Sequence, residues 1–123
     1  MIIGIGCDII EVARIKEKLM KKEFKNKVFT EEEIAYCEQQ GVHSWESYSA
    51  RFAGKEAVGK ALGLGLTPGN LKEISIAKGE NGQPQVKLTG KFQQLAVQRG
   101  CKTVHLSLSH IKTLALAQAI VEG

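Results

Sequence analysis

A chain of 123 residues with 43% hydrophobic and 24% charged residues has the balance of one globular domain, too short for two cores and too apolar for a disordered or fibrous chain. A formal charge of +4 and a pI near 9.0 favour anionic partners, whether nucleic acid, an anionic cofactor or an acidic protein. The longest apolar runs, MIIGIGC and LALAQAIV, fall far short of a membrane span and the first lacks a basic lead, so the expected compartment is the cytoplasm.

In chain order, IIGIGCDII predicts a buried strand, apolar almost throughout and interrupted by Asp8. A helix over about residues 12 to 22 follows, with Val12, Ile15 and Leu19 on one face and a basic stripe of Arg14, Lys18, Lys21 and Lys25. TEEE offers a capping box between Thr30 and Glu33, starting a second helix that Gly41 ends. A third helix runs from Ser44 or Ser47 to Leu62 and is closed by the glycine-rich GLGLTPG. LKEISIAK and QVKLT are strands around GENGQP, a hairpin signal. KFQQLAVQR is a short helix stopped by Gly100. KTVHLSLSH alternates, with Val104, Leu106 and Leu108 on one face and His105, Ser107 and Ser109 on the other, and TLALAQAIVE pairs back on it. The order of strand, three helices, two strands, helix and two strands predicts a single α+β domain over residues 1–123, its mostly antiparallel sheet packed on the long helix.

Cys7, Cys37 and Cys101 are odd in number, far apart and in no C-x-x-C spacing; they encode neither a disulfide framework nor a zinc site and are expected as buried, reduced thiols. Asp8 is a carboxylate inside an apolar strand. It needs a partner or a cation, or else it sits at the strand end and caps the next helix. GIG before it is only a fragment of a dinucleotide fingerprint. Glu56 and Lys60, one turn apart, read either as a solvated i,i+4 ion pair or as the rim of a cleft, because Phe52, Ala53, Ala57, Val58, Ala61 and Leu62 give their helix a wide face of mostly small residues. His110, five residues after His105, points to the opposite face of a regular strand, so the two rings do not share a metal. It reads as a hydrogen-bonded structural residue or as a functional one.

Four blocks, GIGCDIIEVARI, VFTEEEIAYC, RFAGKEAVGKALG and SLSH, lie in order between Gly4 and His110. Together they resemble the short bacterial holo-acyl-carrier-protein synthases of the phosphopantetheinyl transferase superfamily. The resemblance implies transfer of 4′-phosphopantetheine from coenzyme A to a serine of apo-acyl carrier protein, releasing adenosine 3′,5′-bisphosphate. It implies Asp8 and Glu56 as magnesium ligands and Lys60 near the coenzyme A phosphates. Arg51 and His110 match phosphate-binding positions, the histidine that of the 3′-phosphate, and Gly82 and Pro84 match the cofactor-contacting hairpin. Arg14 matches a carrier-contacting position, with Lys18 and Lys21 continuing the stripe toward an acidic carrier. A homotrimer with cofactor sites between subunits is also implied. Departures are Gln83 where many relatives carry lysine in Gly-Lys-Pro, Gly54 where they carry alanine, and Cys7 where threonine or valine is commoner.

The chemistry suits those residues. Attack on the β-phosphorus of a pyrophosphate builds charge on oxygens that repel the incoming hydroxyl, so cations and positioning are needed. Magnesium takes one or two protein carboxylates and leaves its other positions to water and phosphate. Glu56, directly or through a water it orients, is the expected base, with Asp8 and Lys60 completing the catalytic set. Two alternatives stand: a small basic nucleic-acid-binding module, supported by charge but opposed by 6% aromatics and the lack of a basic run interleaved with stacking residues, and a related transferase acting on other carrier domains.

Overall fold

The computed structural model describes residues 1–63 and 68–123, the side chains of 68–70 excepted; GLGLTPG therefore lies largely outside the described residues. The elements are β1 (Ile2–Glu11), α1 (Val12–Leu19), α2 (Lys22–Val28), α3 (Glu31–Glu38), α4 (Ser44–Ala61), β2 (Ile74–Lys78), β3 (Pro84–Leu88), α5 (Gly90–Gln98), β4 (Thr103–His110) and β5 (Leu114–Glu122). Two 3₁₀ turns, Gly41–His43 and Pro68–Glu73, precede α4 and β2. The architecture is α+β, as expected, and every strand pairing is antiparallel. The strands form two sheets, β1-β5-β4 and the β2-β3 hairpin.

The first helix differs from expectation. Residues 12 to 22 do not form one helix: α1 stops after Leu19, Lys21 is extended (φ −92°, ψ 115°), and α2 starts afresh. The break lets Val28 and Phe29 turn into a core with Ile15 and Leu19, and it ends the continuous basic stripe. Lys25 instead pairs with Glu38 at 2.9 Å.

Helix α4 is the centre of the molecule. Thirteen of its eighteen residues are buried, more than one amphipathic face supplies, because it is covered on two sides. Ala53, Ala57, Val58 and Ala61 pack against the sheet, where Ala117, Ala119 and Val121 of β5 offer small side chains. Tyr48 and Phe52 pack on Ile15, Leu19, Phe29 and Cys37.

Gly4 and Gly6 explain GIG. A Cβ on Gly6 would strike the carbonyl oxygen of Ala57, and one on Gly4 that of Ala61, so only glycine allows β1 to lie directly on α4. Strand alternation carries Asp8 to that same face, two residues further on.

The opposite face of β1 corrects the expectation of a buried strand. Ile5 is 63% and Ile9 62% exposed, and Cys7 between them is exposed too, not buried. Cys37 is buried as expected, Cys101 is only partly buried, and all three thiols are free.

The capping box at Thr30 and Glu33 is present, and Glu33 does more than cap. Its Oε1 accepts from Lys55 Nζ at 2.7 Å, and its Oε2 accepts from the Ile76 amide at 2.9 Å. Lys55 also donates to the Leu71 and Ile74 carbonyls at 3.0 and 2.7 Å. This fully buried ion pair fastens α3, α4 and the start of the hairpin together. Burial pulls the Lys55 pKa down and Glu33 holds it up.

Candidate active site

Five residues along an α-helix rotate a side chain by about 140° and advance it about 7.5 Å. Arg51 and Glu56 are five apart on α4, and they line two recesses with no residue in common.

The first recess, about 420 Å³, is bordered by Asp8 and Glu11 of β1, Arg14 and Lys18 of α1, and Phe52 and Glu56 of α4. It brings together the two expected metal ligands and two of the three expected carrier-contacting cations. Burial, then the charge of Asp8, push the Glu56 carboxyl above the usual glutamate value, while Lys60 and Lys18 pull it back. Lys60 does not form the i,i+4 pair with Glu56. Its Nζ lies 3.3 Å from Asp8 Oδ1 and donates to the Cys7 carbonyl at 3.1 Å. Nor does Asp8 cap α1: that position is Glu11, without a side-chain cap. Lys18 stands with its Nζ 5.8 Å from the ring centres of Phe24 and Phe52, beside the carboxylates rather than on an open stripe. Lys21 stands apart, exposed ahead of α2.

The second recess, about 310 Å³, gathers Arg51, His110, Gly82 and Pro84, four of the five expected cofactor contacts. Lys60 does not border it. Arg51 is 6% exposed, yet among the described residues no carboxylate lies within salt-bridge reach of it. Its guanidinium stacks 4.0 Å from the Tyr36 ring centre, one nitrogen donates to Ser47 Oγ at 3.3 Å, and Nε has no partner. A buried cation with an unused donor calls for an anion.

Sequence reasoning missed several residues here: Tyr36 from α3, Gln40 just after it, His43, and Lys78, which pairs across the hairpin with Pro84. Lys78 puts a lysine at this hairpin although Gln83 is not one. The pairing could have been found by counting back from the Asn-Gly turn; His43 and Tyr36 carry no local signal.

Among the described residues no group of three or more His, Cys, Asp or Glu is placed to hold a metal. The Asp8 and Glu56 pair is the donor set that magnesium takes, one or two carboxylates with room for water and phosphate. Burial first and the charge of Asp8 second raise the Glu56 carboxyl, and a cation between the two would relieve the second.

The comparisons agree with one another. Residues 4–119 match the profile of the 4′-phosphopantetheinyl transferase superfamily. The holo-[acyl-carrier-protein] synthase of Treponema denticola is 42% identical over 123 residues, covering 100% of both chains. Among solved structures, the holo-[acyl-carrier-protein] synthase of Neisseria meningitidis superposes with a TM-score of 0.88 at 30% identity, covering 100% of both chains. That of Bacillus anthracis, in complex with coenzyme A (3′,5′-ADP), gives a TM-score of 0.80 at 33% identity over 98% of this chain and 96% of the other.

Proposed function

Since the chain belongs to the 4′-phosphopantetheinyl transferase superfamily, we propose that it is a holo-acyl-carrier-protein synthase, transferring 4′-phosphopantetheine from coenzyme A to a serine of apo-acyl carrier protein. The serine oxygen forms a bond to the β-phosphorus, the pyrophosphate P–O bond breaks, adenosine 3′,5′-bisphosphate leaves with the electron pair, and the serine proton passes to a base.

The observation that carries the reading is the shared recess of Asp8 and Glu56, with Lys60 bonded to the first and the second raised above its usual pKa. Asp8 and Glu56 would hold magnesium, which would supply positive charge to the pyrophosphate oxygens. Lys60 adds a cation on the same side, which stabilises the charge that grows on the leaving group. Glu56, directly or through a water it orients, accepts the serine proton. Arg51 and His110 hold the nucleotide phosphates, with Lys78, Gly82 and Pro84 along the hairpin side. Arg14 and Lys18 meet the acidic carrier at the rim of the carboxylate recess, with Lys21 beyond it, and act on encounter and partner choice.

The working protein is a homotrimer in this proposal, the number being that of the family resemblance. Its support is the sheet face turned away from α4: Ile5 pairs with Ile120, Ile9 with Leu116 and Glu11 with Leu114 in neighbouring registers, and Leu114 and Leu116 are 37% and 46% exposed. Contiguous apolar surface of this kind marks an interface. The separation of the two recesses in one chain suits a cofactor that bridges subunits.

The test is to incubate the protein with apo-acyl carrier protein, coenzyme A and magnesium, and to weigh the carrier by intact-mass spectrometry. The carrier gains the mass of one phosphopantetheine. A carrier of unchanged mass returns the basic binding-module reading.

A further inference from the structure

Glu46, in the first turn of α4, offers one carboxylate oxygen to two imidazoles from different parts of the fold. Nδ1 of His43, just before the helix, lies 3.2 Å from Oε2, and Nδ1 of His110, at the end of β4, lies 3.4 Å from the same atom. The Glu46 side chain is only 13% exposed, while the rings are 68% and 42% exposed. Both histidines line the Arg51 recess and Glu46 does not. That oxygen is hydrogen-bonded to Nδ1 of His43 and within ion-pair reach of Nδ1 of His110, so it orients both rings and leaves Nε2 of each as the nitrogen free for a ligand.

Resting on the coenzyme A reading above, we infer that Glu46 is a positioning residue for the recognition of a nucleotide phosphomonoester. It stands behind His43 and His110 and holds their rings so that, with Arg51, three donors from the 3₁₀ turn before α4, from α4 and from β4 meet at one anionic group. The arrangement reads the number of phosphates on the nucleotide, because a ligand without that phosphomonoester leaves the two rings unused. An ordinary structural role, an acid in the first turn of a helix favoured by its dipole, would treat all nucleotides alike.

Isothermal calorimetry with adenosine 3′,5′-bisphosphate and with adenosine 5′-monophosphate separates the two roles. Wild-type protein binds the bisphosphate more tightly. Glu46→Ala weakens bisphosphate binding about tenfold, the loss expected for one charged hydrogen-bonding arrangement, and changes monophosphate binding by less than about twofold. Glu46→Gln, which retains an acceptor oxygen, falls between. His43→Ala reproduces the selective loss while Glu46 is intact. Equal weakening of both nucleotides by Glu46→Ala, or tighter bisphosphate binding, overturns the assignment while leaving the coenzyme A reading in place. Wild-type protein that binds neither nucleotide overturns that reading and the assignment with it.

Discussion

Lys60 reaches from α4 to β1, where its Nζ lies 3.3 Å from Oδ1 of Asp8, and it makes no hydrogen bond to Glu56 one turn earlier on its own helix. A lysine on this spacing would gain only about 0.3 to 0.5 kcal/mol from an exposed helix pair. It is instead spent across the carboxylate recess, where it faces the pyrophosphate in the proposed reaction. Lys60→Met should therefore lower kcat about a hundredfold, the scale of losing one donor aimed at developing charge. The fold should be unaltered by circular dichroism. A loss confined to KM for coenzyme A would make Lys60 a plain binding group.

Glu56 predicts a stability profile of unusual sign. Below the ordinary glutamate pKa the group is protonated in both the folded and unfolded states. Its folded value is raised by burial and by Asp8, so the stability it contributes is present at low pH and is lost as pH rises through that raised value. Glu56→Gln removes this cost. The variant should melt at a higher Tm than wild type at about pH 8 without divalent ions, and the two should converge below the ordinary glutamate pKa. Magnesium should raise the wild-type Tm and leave that of the variant unchanged, since binding stabilises only a state that binds.

The Lys55–Glu33 pair is the buried joint of the molecule, at 2.7 Å with neither side chain more than 1% exposed. Lys55→Met leaves a carboxylate uncompensated in the core and should cost about 3 to 5 kcal/mol in urea denaturation. Adding Glu33→Gln removes the orphan charge and should recover part of that loss. Recovery is incomplete, because Glu33 accepts from the Thr30 amide through one oxygen and from the Ile76 amide through the other, and glutamine has one acceptor oxygen.

Leu116 lies in the middle of the uncovered sheet face, opposite Ile9 of β1 and Ser109 of β4. Leu116→Glu should convert the proposed oligomer to monomers in sedimentation velocity and abolish transfer, while the secondary structure by circular dichroism stays the same. Wild-type protein sedimenting as a monomer at working concentration would remove the trimer from the account.

Much of this fold was legible in the chain because its signals are local. Thr30 and Glu33 announced a helix start, Asn-Gly announced the hairpin, and Val104, Leu106 and Leu108 announced the inward, partly buried face of β4. The break between α1 and α2 was not legible, since neither Gly nor Pro stands at Met20 or Lys21 and the cause is the distant packing of Val28 and Phe29. The exposure of Ile5 and Ile9 was hidden for another reason: an apolar strand has the same pattern whether its own chain or another copy covers it. Asp8 and Glu56 could be paired in advance through the blocks that carry them, but the reason for their meeting, Gly4 and Gly6 drawing β1 onto α4, needed the packing. Nothing in RFAGKEAVGK sets Lys55 apart from the other cations of its helix, and only the fold shows it buried. His43 and Glu46 were invisible, because their partner His110 arrives from the other end of the chain.

The most direct measurement is anomalous diffraction from crystals grown with manganese in place of magnesium and with coenzyme A. A peak between the carboxylates of Asp8 and Glu56, absent from Glu56→Gln crystals, is the predicted result. Coenzyme A bound in full, with the manganese peak elsewhere or with both carboxylates bare, would contradict it.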